Sequence, residues 1–160
     1  MYRVGIGFDA HRFSKERKLI LGGVEIPFEL GLEGHSDADV LTHAICDAIL
    51  GAIGERDIGD HFPDSDPRYK GMSSLVLLKQ VTALSNSRDF KVENIDSVVV
   101  CERPKLSGYI SRMKERLSSI IQVSEDSLGI KATTTDTMGF TGRGEGIAAY
   151  AVVLLKKASI

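Results

Sequence analysis

The sequence predicts an α+β fold, a single domain over residues 1–160 in which a mixed β-sheet is covered on one face by helices. Three observations predict it. β-type apolar runs occupy both ends of the chain, segments with helical apolar spacing lie between them, and no repeat, low-complexity tract or long linker divides the 160 residues. A chain of that length can bury a core of its own.

Residues 2–8 read as a first strand that ends at Asp9-Ala10-His11. Residues 18–21 and 24–26 flank Gly22-Gly23, a hairpin signal, and residues 30–34 read as a loop. Ser36 or Asp37 is placed to cap a long apolar helix over residues 38–53. Residues 55–69, polar and broken by Gly59, Pro63 and Pro67, read as a loop. Leu75, Leu78 and Val81 give residues 73–85 helical spacing. A strand over residues 92–101 is stopped by Pro104, and residues 109–121 form a helix with Ile110, Met113, Leu117, Ile120 and Ile121 on one face. A short strand over 128–133, a Thr- and Gly-rich loop over 134–145 and a last strand over 146–155 complete the reading.

Composition narrows the function classes. Apolar residues make up 42% and charged residues 26%, and the formal net charge is −2, so no basic field points to nucleic acid or to an anionic membrane. The two cysteines, Cys46 and Cys101, form no CxxC and read as reduced, buried thiols. Met1-Tyr2-Arg3-Val4 reads as the start of a strand rather than a signal peptide. No apolar run approaches the ~20 residues of a membrane span. The expectation is a cytoplasmic protein without a membrane partner, or a stromal one after loss of a transit peptide.

The candidate chemistry lies in five segments. Asp9 and His11 share a strand face, because side chains alternate with a period of two. In His35-Ser36-Asp37-Ala38-Asp39-Val40-Leu41-Thr42-His43, Asp39 and His43 are one helical turn apart. His35 and Ser36 lie just ahead of the helix, where free N–H groups favour an anion. His11 and His43 are two of four histidines, each with a carboxylate at ligand spacing. Two His and one Asp would leave a tetrahedral zinc with an open position. Spacing leaves Asp9, Asp37 and Asp39 all eligible as the carboxylate.

The stretch Asp57-Ile58-Gly59-Asp60-His61-Phe62-Pro63-Asp64-Ser65-Asp66 is rich in carboxylates suited to accepting from polyol hydroxyls, although a solvated loop is the plainer reading. Glu102-Arg103-Pro104-Lys105 ends a strand, where Lys105 can pair with a phosphate or simply form a basic turn. Thr133, Thr134 and Thr135 offer hydroxyls and N–H groups to phosphate, and Asp136 can hold a harder cation. Gly139-Phe140-Thr141-Gly142-Arg143-Gly144-Glu145-Gly146 matches neither a Walker A loop nor the dinucleotide fingerprint.

In this order, the segments resemble the 2-C-methyl-D-erythritol 2,4-cyclodiphosphate synthase family. The matching pieces are Gly5-Ile6-Gly7-Phe8-Asp9-Ala10-His11, His35-Ser36-Asp37-Ala38-Asp39, Asp57-Ile58-Gly59, Phe62-Pro63-Asp64, Pro104-Lys105, Ala132-Thr133-Thr134-Thr135 and the glycine-rich segment from Gly139. The resemblance implies zinc held by Asp9, His11 and His43, with Asp39 orienting a ligand or packing near one. It implies transition-state stabilisation by His35 and Thr134. Ser36, Asp57, Ile58, Gly59, Phe62, Pro63 and Asp64 would surround the methylerythritol phosphate, with Asp9, His11 and His35 beside it.

Cys101, Pro104, Lys105 and Leu106 would take the cytidine diphosphate, together with Thr133, Thr134, Thr135 and Asp136. Asp136 would hold Mg2+ or Mn2+ across the diphosphate, and Phe140 and Arg143 would complete the site. The family implication extends to a homotrimer with sites shared between neighbouring subunits. Three positions depart from many members: Asp136 stands for Glu, Cys101 for Ala, and Tyr150 for an acidic residue near the trimer axis, where Phe8 and Arg143 are also expected.

The implied reaction is intramolecular attack of a 2-phosphate on a β-phosphorus with loss of CMP. The rival readings are a zinc-dependent phosphohydrolase and a non-catalytic trimer that binds zinc or nucleotide.

Overall fold

The structure is a computed structural model and describes residues 1–158. Its frame is a five-stranded mixed sheet with strand order β4-β1-β7-β5-β6. The strands are β1 (Tyr2–Ser14), β4 (Gly31–Leu32), β5 (Phe90–Val100), β6 (Leu128–Thr133) and β7 (Gly146–Lys157). A separate hairpin pairs β2 (Leu19–Leu21) with β3 (Val24–Ile26). All pairings in the sheet are antiparallel except β5 with β6. A parallel pair needs a long crossover, which α4 (Ile110–Ile121) supplies.

β1 shows why one sheet face is covered and the other bare. Gly5 and Gly7 are buried on one side, while Val4, Ile6 and Phe8 on the other are 68%, 70% and 49% exposed. A Cβ at Gly7 would stand 1.9 Å from the Ala44 carbonyl oxygen, and one at Gly5 1.9 Å from that of Ala48. The missing side chains therefore let α1 (Val40–Ala52) lie directly on β1. Eleven α1 residues, from Val40 to Ala52, are buried between the sheet, α3 (Ser74–Ser87) and the hairpin. A helix buried on most sides reads as largely apolar, as this one does apart from Thr42, His43 and Asp47.

The elements differ from the sequence expectation in instructive ways. β1 runs on to Ser14, so Asp9 and His11 lie within the strand, registered against Ala149 and Ile147 of β7. The expected loop at 30–34 contains the short edge strand β4. The loop at 55–69 contains the turn α2 (Ile58–His61) and a 3-10 turn at Pro67–Tyr69, and the loop at 134–145 contains α5 (Gly139–Gly142). Neither Ser36 nor Asp37 caps α1. Ala38 has φ +57°, outside the helical region, so the helix cannot begin there and Asp39 is the N-cap.

Candidate active site and metal centre

Three side chains meet at the carboxyl-side half of β1 and the first turn of α1. His11 Nε2 lies 2.8 Å from Asp9 Oδ2, His43 Nδ1 lies 3.1 Å from the same oxygen, and the two ring nitrogens are 3.3 Å apart. One ligand atom from each of Asp9, His11 and His43 falls within 4.8 Å of the others. The backbone explains the convergence: β1 places Asp9 and His11 two apart on its helix-facing side, and the Gly7–Ala44 contact brings His43 over them.

The far sides of both rings are held. His11 Nδ1 donates to the Glu33 carbonyl at 2.7 Å, which turns Nε2 toward Asp9. His43 Nε2 lies 2.7 Å from Ser74 Oγ and 3.2 Å from Ser36 Oγ, so Nδ1 faces Asp9. Asp37 in turn accepts from the Ser74 hydroxyl and from the Ser74 N–H at 3.0 Å. Burial alone would raise the Asp9 pKa, but hydrogen bonds and charge from His11 and His43 outweigh it and leave it at about 2. His11 is desolvated too, yet Asp9 moves its pKa upward. With the protons on their facing nitrogens given up, His11 Nε2 and His43 Nδ1 would join the Asp9 carboxylate around a divalent metal with an open position.

Asp39 is not part of this cluster. It is fully buried, and its carboxylate accepts from the N–H groups of Gly22 at 2.9 Å, Gly23 at 2.7 Å and Thr42 at 3.0 Å, and from the Thr42 hydroxyl at 2.7 Å. It caps α1 and pins the β2–β3 turn. The amino end of the helix is thereby occupied and is not a free anion site near His35 and Ser36. Desolvation and the neighbouring charge of Asp37 raise the pKa of Asp39.

A cavity of about 200 Å³ opens from the triad and is walled by His35, Ser36, Ile58, Gly59, Phe62 and Asp64 among others. Phe62 meets Tyr69 edge-on with ring centroids 5.4 Å apart, closing one side. Asp57 and Pro63 are not among the lining residues, and the Asp57 carboxylate instead accepts from Asp60 N–H at the start of α2. His35 Nε2 donates to the Asp66 carbonyl at 3.1 Å, so the ring can donate to a ligand only by leaving that carbonyl or carrying a second proton. Arg17 donates to the carbonyls of Gly34, at 2.8 Å, and Ser36, bracing the His35 segment from behind.

A second, open groove of about 430 Å³ lies where β5 and β6 end. Cys101, Pro104, Lys105, Leu106, Thr133 and Thr134 are among its walls. Burial and the nearby Glu102 charge push the Cys101 thiol up to about 11, and burial raises Cys46 further, so neither is a ready nucleophile. Thr135 and Asp136 follow the groove. The N–H groups of Thr135 and Thr137 both go to Glu102 Oε1, at 3.1 and 3.2 Å, which removes the Thr135 N–H from the phosphate donors expected from sequence. Phe140 lines a separate small hollow beside His11, and Arg143 pairs with Glu145 at 2.8 Å. No described residue lines both the triad cavity and the groove.

Sequence reasoning missed Ser74, Asp47 and Arg17, and it placed Glu102 in a candidate segment without its contact to Thr135 and Thr137. Ser74 is visible only as part of a Ser-Ser helix start. Asp47 lies one turn beyond His43 and accepts from Ile58 N–H at 2.7 Å, across 11 residues. Nothing local marks that contact.

The sequence profile of the YgbB family matches residues 2–156. The chain is 60% identical over 155 residues to the 2-C-methyl-D-erythritol 2,4-cyclodiphosphate synthase of Caldicellulosiruptor bescii, covering 97% of this chain and 99% of that one. The structure of the bifunctional IspDF from Campylobacter jejuni is similar with a TM-score of 0.94 at 41% identity, over 98% of this chain and 42% of that chain. The CDP complex of IspF from Plasmodium falciparum is similar with a TM-score of 0.87 at 30% identity, over 99% of this chain and 97% of that one.

Proposed function

The chain belongs to the YgbB family, among relatives that are 2-C-methyl-D-erythritol 2,4-cyclodiphosphate synthases, and from that premise we propose its reaction and the roles of its residues. The substrate is 4-diphosphocytidyl-2-C-methyl-D-erythritol 2-phosphate. A 2-phosphate oxygen attacks the β-phosphorus, the bond from that phosphorus to the bridging oxygen breaks, and the electron pair leaves with CMP. The product is 2-C-methyl-D-erythritol 2,4-cyclodiphosphate, an intermediate of non-mevalonate isoprenoid synthesis, and the enzyme class is a phosphorus-oxygen lyase. The nucleophile is already an anion, so the reaction asks for charge neutralisation and alignment rather than for a base. The observation that carries this reading is the convergence of Asp9, His11 and His43 at one end of a cavity sized for a small polyol phosphate.

Zinc held by Asp9, His11 and His43 supplies a Lewis acid and a template for the phosphates. Asp64 accepts from the polyol hydroxyls, and Ser36, Ile58, Gly59 and Phe62 shape the pocket, with Asp57 and Pro63 in the loop that carries them. Cys101, Pro104 and Leu106 seat the cytidine, and the exposed Lys105 ammonium pairs with a phosphate. Thr133 and Thr134 present hydroxyls, Thr135 keeps its own on the Met138 carbonyl and follows them in the loop, and the Asp136 carboxylate would hold Mg2+ or Mn2+ for the diphosphate. His35 and Thr134 donate to the charge that develops at transfer. Holding the reacting atoms ~3–3.5 Å apart contributes ~7–11 kcal/mol to such a reaction.

The active enzyme is a homotrimer whose sites lie between subunits. The separation of the triad cavity from the Thr134 groove within one chain supports this. So does the bare sheet face, where Val4, Ile6, Phe8, Tyr150 and Val152 stand exposed and the tilted rings of Phe8 and Tyr150 meet with centroids 4.8 Å apart. The chain acts as one synthase domain in the cytoplasm, a setting that suits two free cysteines, both buried.

Phosphorus NMR of the purified protein with zinc, magnesium and the cytidylated substrate tests the reading. Paired resonances of a cyclic diphosphate appearing with CMP are expected. Linear phosphates would assign the chain to hydrolysis, and no turnover with zinc bound would assign it to binding alone.

A further inference from the structure

The corner that follows β6 is held in a costly conformation. Asp136 and Thr137 adopt φ values of 50° and 67°, two consecutive non-glycine residues in the left-handed region, one of them β-branched. Hydrogen bonds offset that cost. Thr134 Oγ accepts from Asp136 N–H at 3.3 Å, and Thr135 Oγ donates to the Met138 carbonyl at 2.5 Å. Gly142 packs so closely that an added Cβ would stand 2.2 Å from the Thr137 carbonyl carbon.

All of these contacts come from the corner itself or from the segment just after it. The tie from outside is Glu102, 33 and 35 residues earlier, whose Oε1 accepts from both Thr135 N–H and Thr137 N–H. A carboxylate held between two backbone amides makes charge-assisted hydrogen bonds, stronger than neutral ones. Those amides flank Asp136 on either side. Glu102 also lines the groove with Cys101, Pro104 and Lys105, so one side chain links the nucleotide wall to the corner that carries Thr134 and Asp136.

We propose that Glu102 is a positioning residue for the reaction: by accepting from the Thr135 and Thr137 amides it fixes the left-handed corner and so sets where the Thr134 hydroxyl and the Asp136 carboxylate meet the diphosphate. It touches neither phosphate nor cation itself. The inference rests on the cyclodiphosphate synthase reading. A consequence is that Gln serves in its place, since an amide oxygen also accepts from two N–H groups, whereas Ala does not.

The test compares the full-length protein with Glu102→Ala and Glu102→Gln, each matched for zinc content and circular dichroism. Two readouts are taken: steady-state cyclisation, and amide hydrogen exchange at Thr135 and Thr137. Glu102→Ala is expected to lower kcat about tenfold or more with KM within about threefold, and to speed exchange at both amides about tenfold. Glu102→Gln is expected to restore kcat to within about threefold and to restore the protection. A Glu102→Ala protein with unchanged exchange overturns the proposal, as does one with unchanged kcat. A Glu102→Gln protein as impaired as Glu102→Ala, with its amides still protected, also overturns it and assigns the carboxylate charge to the reaction. If the wild-type protein forms no cyclic diphosphate, the functional reading fails by itself, while the exchange data still decide whether Glu102 fixes the corner.

Discussion

The triad cavity and the Thr–Gly groove are built by opposite means. The triad rests on a strand and a buried helix pressed together through Gly5 and Gly7. Each ring is braced from behind, His11 by the Glu33 carbonyl and His43 by Ser74 and, through it, Asp37. The groove is made where β5 and β6 stop, from segments whose Thr133, Thr134, Asp136 and Thr137 are exposed. Its order comes from a few cross-loop hydrogen bonds. One chain thus brings the Asp9, His11 and His43 side chains together on its own, whereas the groove stays open to solvent and is lined by none of them.

The largest effects should come from the triad. His43→Ala removes one of the three side chains proposed to hold zinc. Zinc and essentially all turnover should be lost while the assembly keeps its size. Metal analysis with sedimentation checks this, and stoichiometric zinc in the variant would refute the ligand assignment. Thr134→Ala acts on the groove, where one hydroxyl donor is at stake. Turnover should fall roughly 10²–10³-fold with zinc retained, by analogy with single oxyanion donors. A variant that turns over normally would take Thr134 out of that role.

Gly7→Ala probes what holds the triad together. The new methyl group would sit 1.9 Å from the Ala44 carbonyl oxygen, a backbone atom of the helix that carries His43. Strand and helix must part to admit it. We expect a loss of about 1–3 kcal/mol in urea unfolding, the usual cost of overpacking, with weaker zinc binding. The same substitution at Gly108, where a Cβ meets nothing within 4 Å, is the control and should change neither.

The sequence carries the triad more legibly than the groove. Asp9 and His11 two apart in a strand, and His43 on an apolar helix, are periodic signals. The identity of the third ligand was not periodic. Spacing leaves Asp9, Asp37 and Asp39 all eligible and only the resemblance points to Asp9; in the structure Asp37 bonds to Ser74 and Asp39 to the β2–β3 turn. Gly5 and Gly7 read as weak points in a strand, and only packing against Ala44 and Ala48 explains them. On the open side, Thr133 to Asp136 stand out by composition. The Glu102 tie spans more than 30 residues between two loops, beyond the reach of any local pattern.

The smallest predicted effect tests whether the comparison holds at the seam between the rigid helix and the sugar loop. Asp47 stands one turn beyond His43 and accepts from Ile58 N–H at 2.7 Å, the bond that seats the first residue of α2 against the cavity. Its pKa is raised, chiefly by burial, with the Ile58 amide acting in the opposite direction. Asp47→Ala leaves that partly buried amide without its partner, which costs about 1 kcal/mol if water replaces the carboxylate. The zinc ligands are untouched, so the loss should fall on seating the substrate: KM rises about fivefold, kcat stays within about twofold and zinc content is unchanged. If kcat falls instead while KM holds, α2 does more than seat the polyol, and the cavity wall belongs with the groove among the parts of the site that order themselves only around the reacting phosphates.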